Sequence, residues 1–262
     1  MPPERWWDAA SYDRIGTPMT AMAAAVLERL ELRGDETVVD AGCGTGRVSE
    51  LLLERLPHGR LLALDADAAM VARARATLGA RVASNAGERA RVAVRHVDLL
   101  DLHLDPPVDV VFSTATFHWV LDHERLFLRL LQALVPGGRL VAQCGGAGNI
   151  VDLLAAADEV ARRSAFEPAF AGWSRPMRYA TAEETTDLLR AAGFVDVRCW
   201  LEPWPVTPAE PLEYLATVPL GAHLDRLVED RRRPFVEAVA ALLPSPITVG
   251  YVRLNIDARR PA

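Results

Sequence analysis

Between a short β-branched run, Thr37-Val38-Val39-Asp40, and a helically spaced apolar set, Val48, Leu51, Leu52 and Leu56, stand three glycines in five residues: Gly42-Cys43-Gly44-Thr45-Gly46. Glycine enters left-handed backbone at no steric cost and lets another group come close to the main chain. A strand that turns through such residues into a helix aims the free N–H groups of that helix at whatever lies over the turn. Asp65 ends the next apolar run, residues 61–64, 19 positions after Gly46. An acid at the end of that strand is placed to accept both hydroxyls of a ribose. The combination predicts a pocket for a nucleoside-containing cofactor.

The spacing separates cofactors. A dinucleotide fingerprint, G-x-G-x-x-G/A beginning at Gly42, requires Gly or Ala at position 47. Arg47 stands there. Composition removes further chemistries, because all 29 basic residues are Arg and the chain has no Lys. A phosphate-binding P-loop and Schiff-base catalysis both need a lysine amine.

Apolar strand-like and helix-like segments alternate from residue 17 to 145. A helix is predicted over 17–31, strands over 37–40, 61–65, 92–97, 108–112 and 139–144, and a helix over 122–134. A looser stretch covers 83–89. Such βαβα alternation implies a parallel sheet with helices on both faces. Beyond residue 148 the rhythm breaks into a helix over 150–163, an irregular aromatic segment over 166–179 and a helix over 181–192. Thr181 and Glu184 form a capping box there, and Gly193 closes the helix. Two more strands, 195–201 and 248–258, flank a stretch with eight prolines between 203 and 246.

The glycine turn, read as Val38-Val39-Asp40-Ala41-Gly42-Cys43-Gly44-Thr45-Gly46, resembles the first motif of class I S-adenosylmethionine-dependent methyltransferases. The resemblance continues through Asp65, Asp98-Leu99, the segment 108–119 ending in Phe117-His118-Trp119, and the turn Pro136-Gly137-Gly138. It implies an α/β fold, a Rossmann-like seven-stranded and mostly parallel sheet of order 3-2-1-4-5-7-6 with helices on both faces and a helical lid. It implies a single domain over 1–262, with a cofactor-binding half at 34–145, lid and substrate segments at 146–180 and 203–246, and an N-terminal closing segment at 1–33. S-adenosyl-L-methionine would be held by Tyr12, Asp40, Gly42, Gly44, Gly46, Asp65, Ala66, Met70, Asp98, Leu99 and Thr114, with Ser113 and Thr114 beside the methyl group. Within the family, the pattern is closest to small-molecule enzymes of the trans-aconitate methyltransferase type.

Methyl transfer from a sulfonium depends on alignment more than on proton transfer, and a base is needed only for an acceptor that arrives protonated. His118 follows the fourth strand and has two readings: a catalytic base for such an acceptor, or a residue that positions the loop. Cys43 reads as a small buried side chain, and no metal site is expected. Three other functions share the fold: a nucleic-acid methyltransferase, an enzyme that uses the cofactor without methyl transfer, and a non-catalytic interaction protein. The net charge of −6 and the Ser113-Thr114-Ala115-Thr116 sequence after strand four argue against a nucleic-acid substrate. A small-molecule substrate is expected, with no nucleic-acid and no membrane partner. Three scattered cysteines, and Pro, Glu and Arg among residues 1–7 where a signal peptide is apolar, point to the cytoplasm.

Overall fold

A computed structural model describes the backbone of residues 17–83 and 91–262, and the side chains of 21–79 and 91–262. Tyr12 lies outside the described residues. Helix α1 (Thr17–Glu28) precedes β1 (Thr37–Ala41), α2 (Arg47–Glu54), β2 (Arg60–Asp65), α3 (Ala68–Ala83) and β3 (Val92–His96). Then come β4 (Val108–Thr114), α4 (His123–Ala133), β5 (Leu134–Gly145), α5 (Val151–Ala161), α6 (Glu167–Phe170) and α7 (Ala182–Ala192). The chain closes with β6 (Val195–Val206), α8 (Pro211–Thr217), α9 (Gly221–Leu224), α10 (Glu229–Ala240) and β7 (Val249–Arg259).

The strands form one sheet in the order β3-β2-β1-β4-β5-β7-β6, the order expected. Neighbouring strands from β3 to β5 are parallel, and β7 runs antiparallel to β5. The central strands are apolar on both faces because helices cover both. Val38, Ala63, Phe112 and Val141 pack with Val26, Leu52 and Leu78 of α1, α2 and α3, and with Leu56 just after α2. On the opposite face Val39, Val111, Leu140 and Ile256 pack with Leu126, Phe127 and Leu130 of α4 and Leu189 of α7. Helix ends follow the sequence: Asp122 accepts the Arg125 N–H at 2.9 Å, Thr181 accepts the Glu184 N–H at 3.0 Å, and Gly193 closes α7 at φ 106°. Each side-chain cap contributes about 1 kcal/mol.

Two strands run at least five residues beyond their expected bounds. The turn at 135–138 is spliced into β5, whose pairing with β4 jumps from Val108↔Leu134 to Val110↔Arg139. Strand β6 runs through Pro203 and Pro205, which an edge position tolerates because an outward-facing nitrogen needs no ladder partner.

The described residues divide into two compact units, one of 22–147, 178–202 and 253–262, the other of 17–21, 148–177 and 203–252. The first unit carries the sheet core. The second has a core of its own, in which Phe166, Phe170, Trp173, His223 and Phe235 make aromatic contacts and the Tyr214 and Tyr251 hydroxyls bond at 2.9 Å. No described helix is long and apolar enough to cross a membrane.

Candidate active site

The sheet order reverses between β1 and β4, and in open α/β sheets ligands bind at the carboxyl ends of the strands beside such a switch point. The glycine turn occupies that place. The N–H groups of Gly42 and Cys43 both donate to the Leu64 carbonyl at 2.8 Å, hooking the turn onto the end of β2. Gly42, Gly44 and Gly46 have φ of 84°, 54° and 85°, which explains the demand for glycine. A Cβ on Gly44 would meet nothing within 4 Å, so that side of the turn is open.

Asp65 faces it. Its Oδ2 accepts the Gly44 N–H and its Oδ1 the Asp67 N–H, each at 2.8 Å. Each carboxylate oxygen keeps a second lone pair for a hydroxyl. Ala66 is exposed, and its carbonyl lies 2.9 Å from His96 Nε2. Met70 is half-buried in the first turn of α3. Asp98 is exposed after β3 and caps the 3₁₀ turn Leu99–Asp101, accepting the Leu100 N–H through Oδ1 at 2.9 Å, while the Leu99 side chain anchors the turn in the core. These positions fit an adenosyl ligand: an open glycine turn, an oriented acid at the next strand end, and an acid with an apolar anchor after the third.

Asp40 takes a different place from the other predicted residues. It is 1% exposed beneath the turn, where the Ser49 hydroxyl donates to its Oδ2 at 2.6 Å. Burial, with the charge of Asp65 adding to it against the Ser49 bond, pushes its pKa up to about 6. Cys43 is buried, and burial pushes its thiol far up, consistent with a packing role. Ser113 turns into the sheet, its hydroxyl donating to the Ala41 carbonyl at 2.7 Å. Thr114 ends β4 half-buried, followed by Ala115 in left-handed backbone at φ 56°. Backbone strain of this kind gathers at functional sites.

A methyltransferase-domain family model matches residues 38–138. A trans-aconitate 2-methyltransferase from Methylobacterium nodulans is 34% identical over 195 residues, covering 74% of this chain and 67% of its own. The chain belongs to the class I S-adenosylmethionine-dependent methyltransferases. The trans-aconitate 2-methyltransferase of Acidovorax ebreus is 36% identical over 137 residues, 52% of this chain and 49% of its own, so the match spans about half that relative's length. Among solved structures, phosphoethanolamine N-methyltransferase 2 of Haemonchus contortus, bound to S-adenosyl-L-methionine, shares the fold at TM-score 0.62 and 19% identity, covering 96% of this chain and 56% of that one. S-adenosylmethionine is the cofactor of this methyltransferase family.

Several polar residues near the carboxyl ends of the strands escape the motif. Thr116 Oγ1 lies 3.0 Å from the Thr114 carbonyl and 3.2 Å from that of Gly42, sharing one proton between them. Gln143, Arg253 and Asn255 form a buried polar row at the β5–β7 pairing: Arg253 Nε donates to Gln143 Oε1 at 3.2 Å, and Gln143 Nε2 donates to Asn255 Oδ1 at 2.9 Å. Arg29 Nη1 also donates to Asn255 Oδ1. The sequence carries a signal for this row, since Arg253, Asn255 and Asp257 recur every second residue between apolar neighbours. Thr116 and Ser49 have no such signal.

Proposed function

We propose that this chain transfers the methyl group of S-adenosylmethionine to a small organic acid, at a carboxylate oxygen. The carrying observation is Arg253, 3% exposed on β7 opposite Gly145 at the carboxyl end of β5, a buried cation at the end of the sheet that carries the proposed cofactor residues. A carboxylate acceptor is complementary to that charge, and two curated relatives are named for a carboxylic acid. When bound, the cofactor supplies a methyl group on a sulfonium, whose departure as a neutral thioether needs no proton. Asp65 would hold the ribose hydroxyls, the open side of Gly44 the methionine end, and Asp98 with the Leu99 backbone the adenine. Tyr12, Ala66, Met70 and Thr114 complete the proposed cofactor set. Asp40 would act from below the turn through its charge, and Gly42 and Gly46 through the shape they permit.

We take residues 34–145 as the cofactor-binding half of one domain, residues 1–33 as its closing segment, and 146–180 and 203–246 as segments serving the acceptor. A cytoplasmic location suits Cys43, Cys144 and Cys199, all free thiols.

Calorimetric titration of S-adenosylmethionine and S-adenosylhomocysteine, followed by mass spectrometry of products from a panel of di- and tricarboxylic acids, phenols and amines, tests this. Binding of both nucleosides and methyl esters from the acids are expected. Binding without any ester, or methylation of a phenol or amine instead, overturns the carboxylate reading.

A further inference from the structure

His118 sits in the 3₁₀ turn Phe117–Trp119 after β4, 8% exposed. Its Nδ1 accepts the N–H of Gly145, at the end of β5, at 3.3 Å. Its carbonyl accepts the Arg178 N–H at 2.8 Å, and its ring stands 5.3 Å from that of Trp119 and 5.8 Å from that of Tyr179. The turn, the strand and the 178–179 segment therefore fix the imidazole together. A backbone amide can only donate. Nδ1 must then present its lone pair, and the neutral ring carries its proton on Nε2. Nε2 bonds to no described residue, and it is not among the buried polar atoms left without a partner, which include Nδ1 of His123 and both ring nitrogens of His223.

Among the described residues, the charged and titratable groups that face His118 are Arg253 from β7, His123 from α4, Tyr179, and the buried Cys144 thiol of β5, which bonds to the His118 backbone. Burial lowers the affinity of the ring for a second proton most, Arg253 and His123 lower it further, and the pKa falls to about 3. Around neutral pH, His118 is an N–H donor beside a buried cation.

We propose that His118 is locked as the Nε2–H tautomer by Gly145 and donates to the anionic group of the acceptor, so that the site accepts nucleophiles that arrive already ionised and removes no proton from them. This rests on the methyl-transfer reading above. With a carboxylate the step balances without a proton: an oxygen lone pair forms the new O–C bond, and the electron pair of the broken C–S bond stays on sulfur. A phenol or an ammonium group must lose a proton, and neither His118 nitrogen can take it, since Nδ1 is engaged and Nε2 is already protonated.

The first test needs no turnover. In the full chain labelled with ¹⁵N-histidine, the ring nitrogens of His118, assigned by their loss in His118→Gln, should show protonated Nε2 and bare Nδ1. They should not titrate between about pH 8 and pH 5. A proton on Nδ1, or a titration midpoint near that of free histidine, overturns the proposal. The second test separates donor from base. A general base is worth roughly 100- to 10,000-fold in rate. His118→Gln keeps an N–H donor and should stay within about tenfold of wild type in kcat/KM, with a flat pH profile in both proteins. His118→Leu should raise the acceptor KM by about tenfold or more, the worth of a hydrogen bond to a charged group, while S-adenosylhomocysteine affinity is unchanged. An acidic limb in kcat that disappears in His118→Gln, together with a loss beyond about 100-fold, would make His118 a base. If the wild type methylates no acid, the carboxylate reading fails alone, and the ring nitrogens still decide the tautomer.

Discussion

Gly42 and Thr116 compete for one volume: a Cβ at position 42 would stand 2.1 Å from Thr116 Oγ1 and 2.3 Å from its Cγ2. The glycine turn after β1 and the loop after β4 thus close against each other, with the Thr116 hydroxyl sharing its proton with the Gly42 carbonyl. Gly42→Ala should destabilise the fold through overpacking, about 1–3 kcal/mol, and left-handed strain, about 1–2 kcal/mol. Chemical denaturation measures it. Pairing it with Thr116→Gly should recover the overpacking part alone; a double variant no more stable than Gly42→Ala would show that the contact is not what excludes a side chain.

Gly44 makes the opposite prediction. Its Cβ would enter open space, so Gly44→Ala pays only the left-handed strain, about 1–2 kcal/mol. It should fold, yet bind S-adenosylhomocysteine at least about tenfold more weakly, because the methyl group projects into the space proposed for the ligand. Calorimetry on the folded variant decides, and unchanged affinity would remove the turn from the binding site.

Asp65 orients the same turn through the Gly44 N–H and is proposed to carry the ribose. A hydrogen bond to a charged acceptor is worth about 1.5–3 kcal/mol. Asp65→Ala should therefore weaken nucleoside binding by about 10- to 100-fold or more, with S-adenosylmethionine and S-adenosylhomocysteine affected alike because their ribose is the same. Equal affinity in variant and wild type would contradict the ribose role.

The glycine turn and the acid that faces it are readable in sequence because their constraints are local. Left-handed backbone needs glycine at 42, 44 and 46, and a strand end fixes Asp65 by position alone. Long-range contacts leave weaker marks. Ser49 reaches Asp40 from the buried face of α2, and Thr116 meets Gly42 across 74 positions of chain. The two readings of His118 could not be separated in sequence, since the Gly145 N–H that selects its tautomer lies 27 residues away. Pro203 and Pro205 suggest an end to strand β6 at 201, and only its place at the sheet edge explains why it continues.

Asp40 carries a cost that its site can explain. With its pKa near 6, above the usual carboxylate range, the fold is penalised when this buried group ionises. Stability therefore falls as pH rises from the unfolded value near 4 through about 6. Asp40→Asn removes the penalty and should raise the melting temperature at pH 7.5, with the amide still able to accept from Ser49. The same change removes a negative charge from beneath the turn. It should weaken binding of the cationic S-adenosylmethionine more than that of uncharged-sulfur S-adenosylhomocysteine. Parallel losses for the two ligands would assign Asp40 a purely structural role.

His223 should contribute to the acid sensitivity of the fold. It is fully buried, with its ring 4.9 Å from that of Trp173, 5.9 Å from Phe235 and 6.0 Å from Phe170, and neither nitrogen bonds to a described residue. Burial lowers its pKa most and Arg175 lowers it further, against a smaller opposing effect of Asp158, to about 4. The unfolded chain takes up this proton near pH 6.5 and the folded chain only near 4. Stability is therefore full above pH 6.5, falls as pH drops from there to about 4, and is flat below, a loss of about 3 kcal/mol at most. His223→Phe fills the same aromatic cluster without a titrating group. Its denaturation midpoint should change less between pH 7.5 and 4.5 than that of wild type, with a remainder due to groups such as His118, which also stays neutral when folded. Identical pH sensitivity in the two proteins would mean that His223 gains a hydrogen-bond partner in solution that removes the cost of its charge.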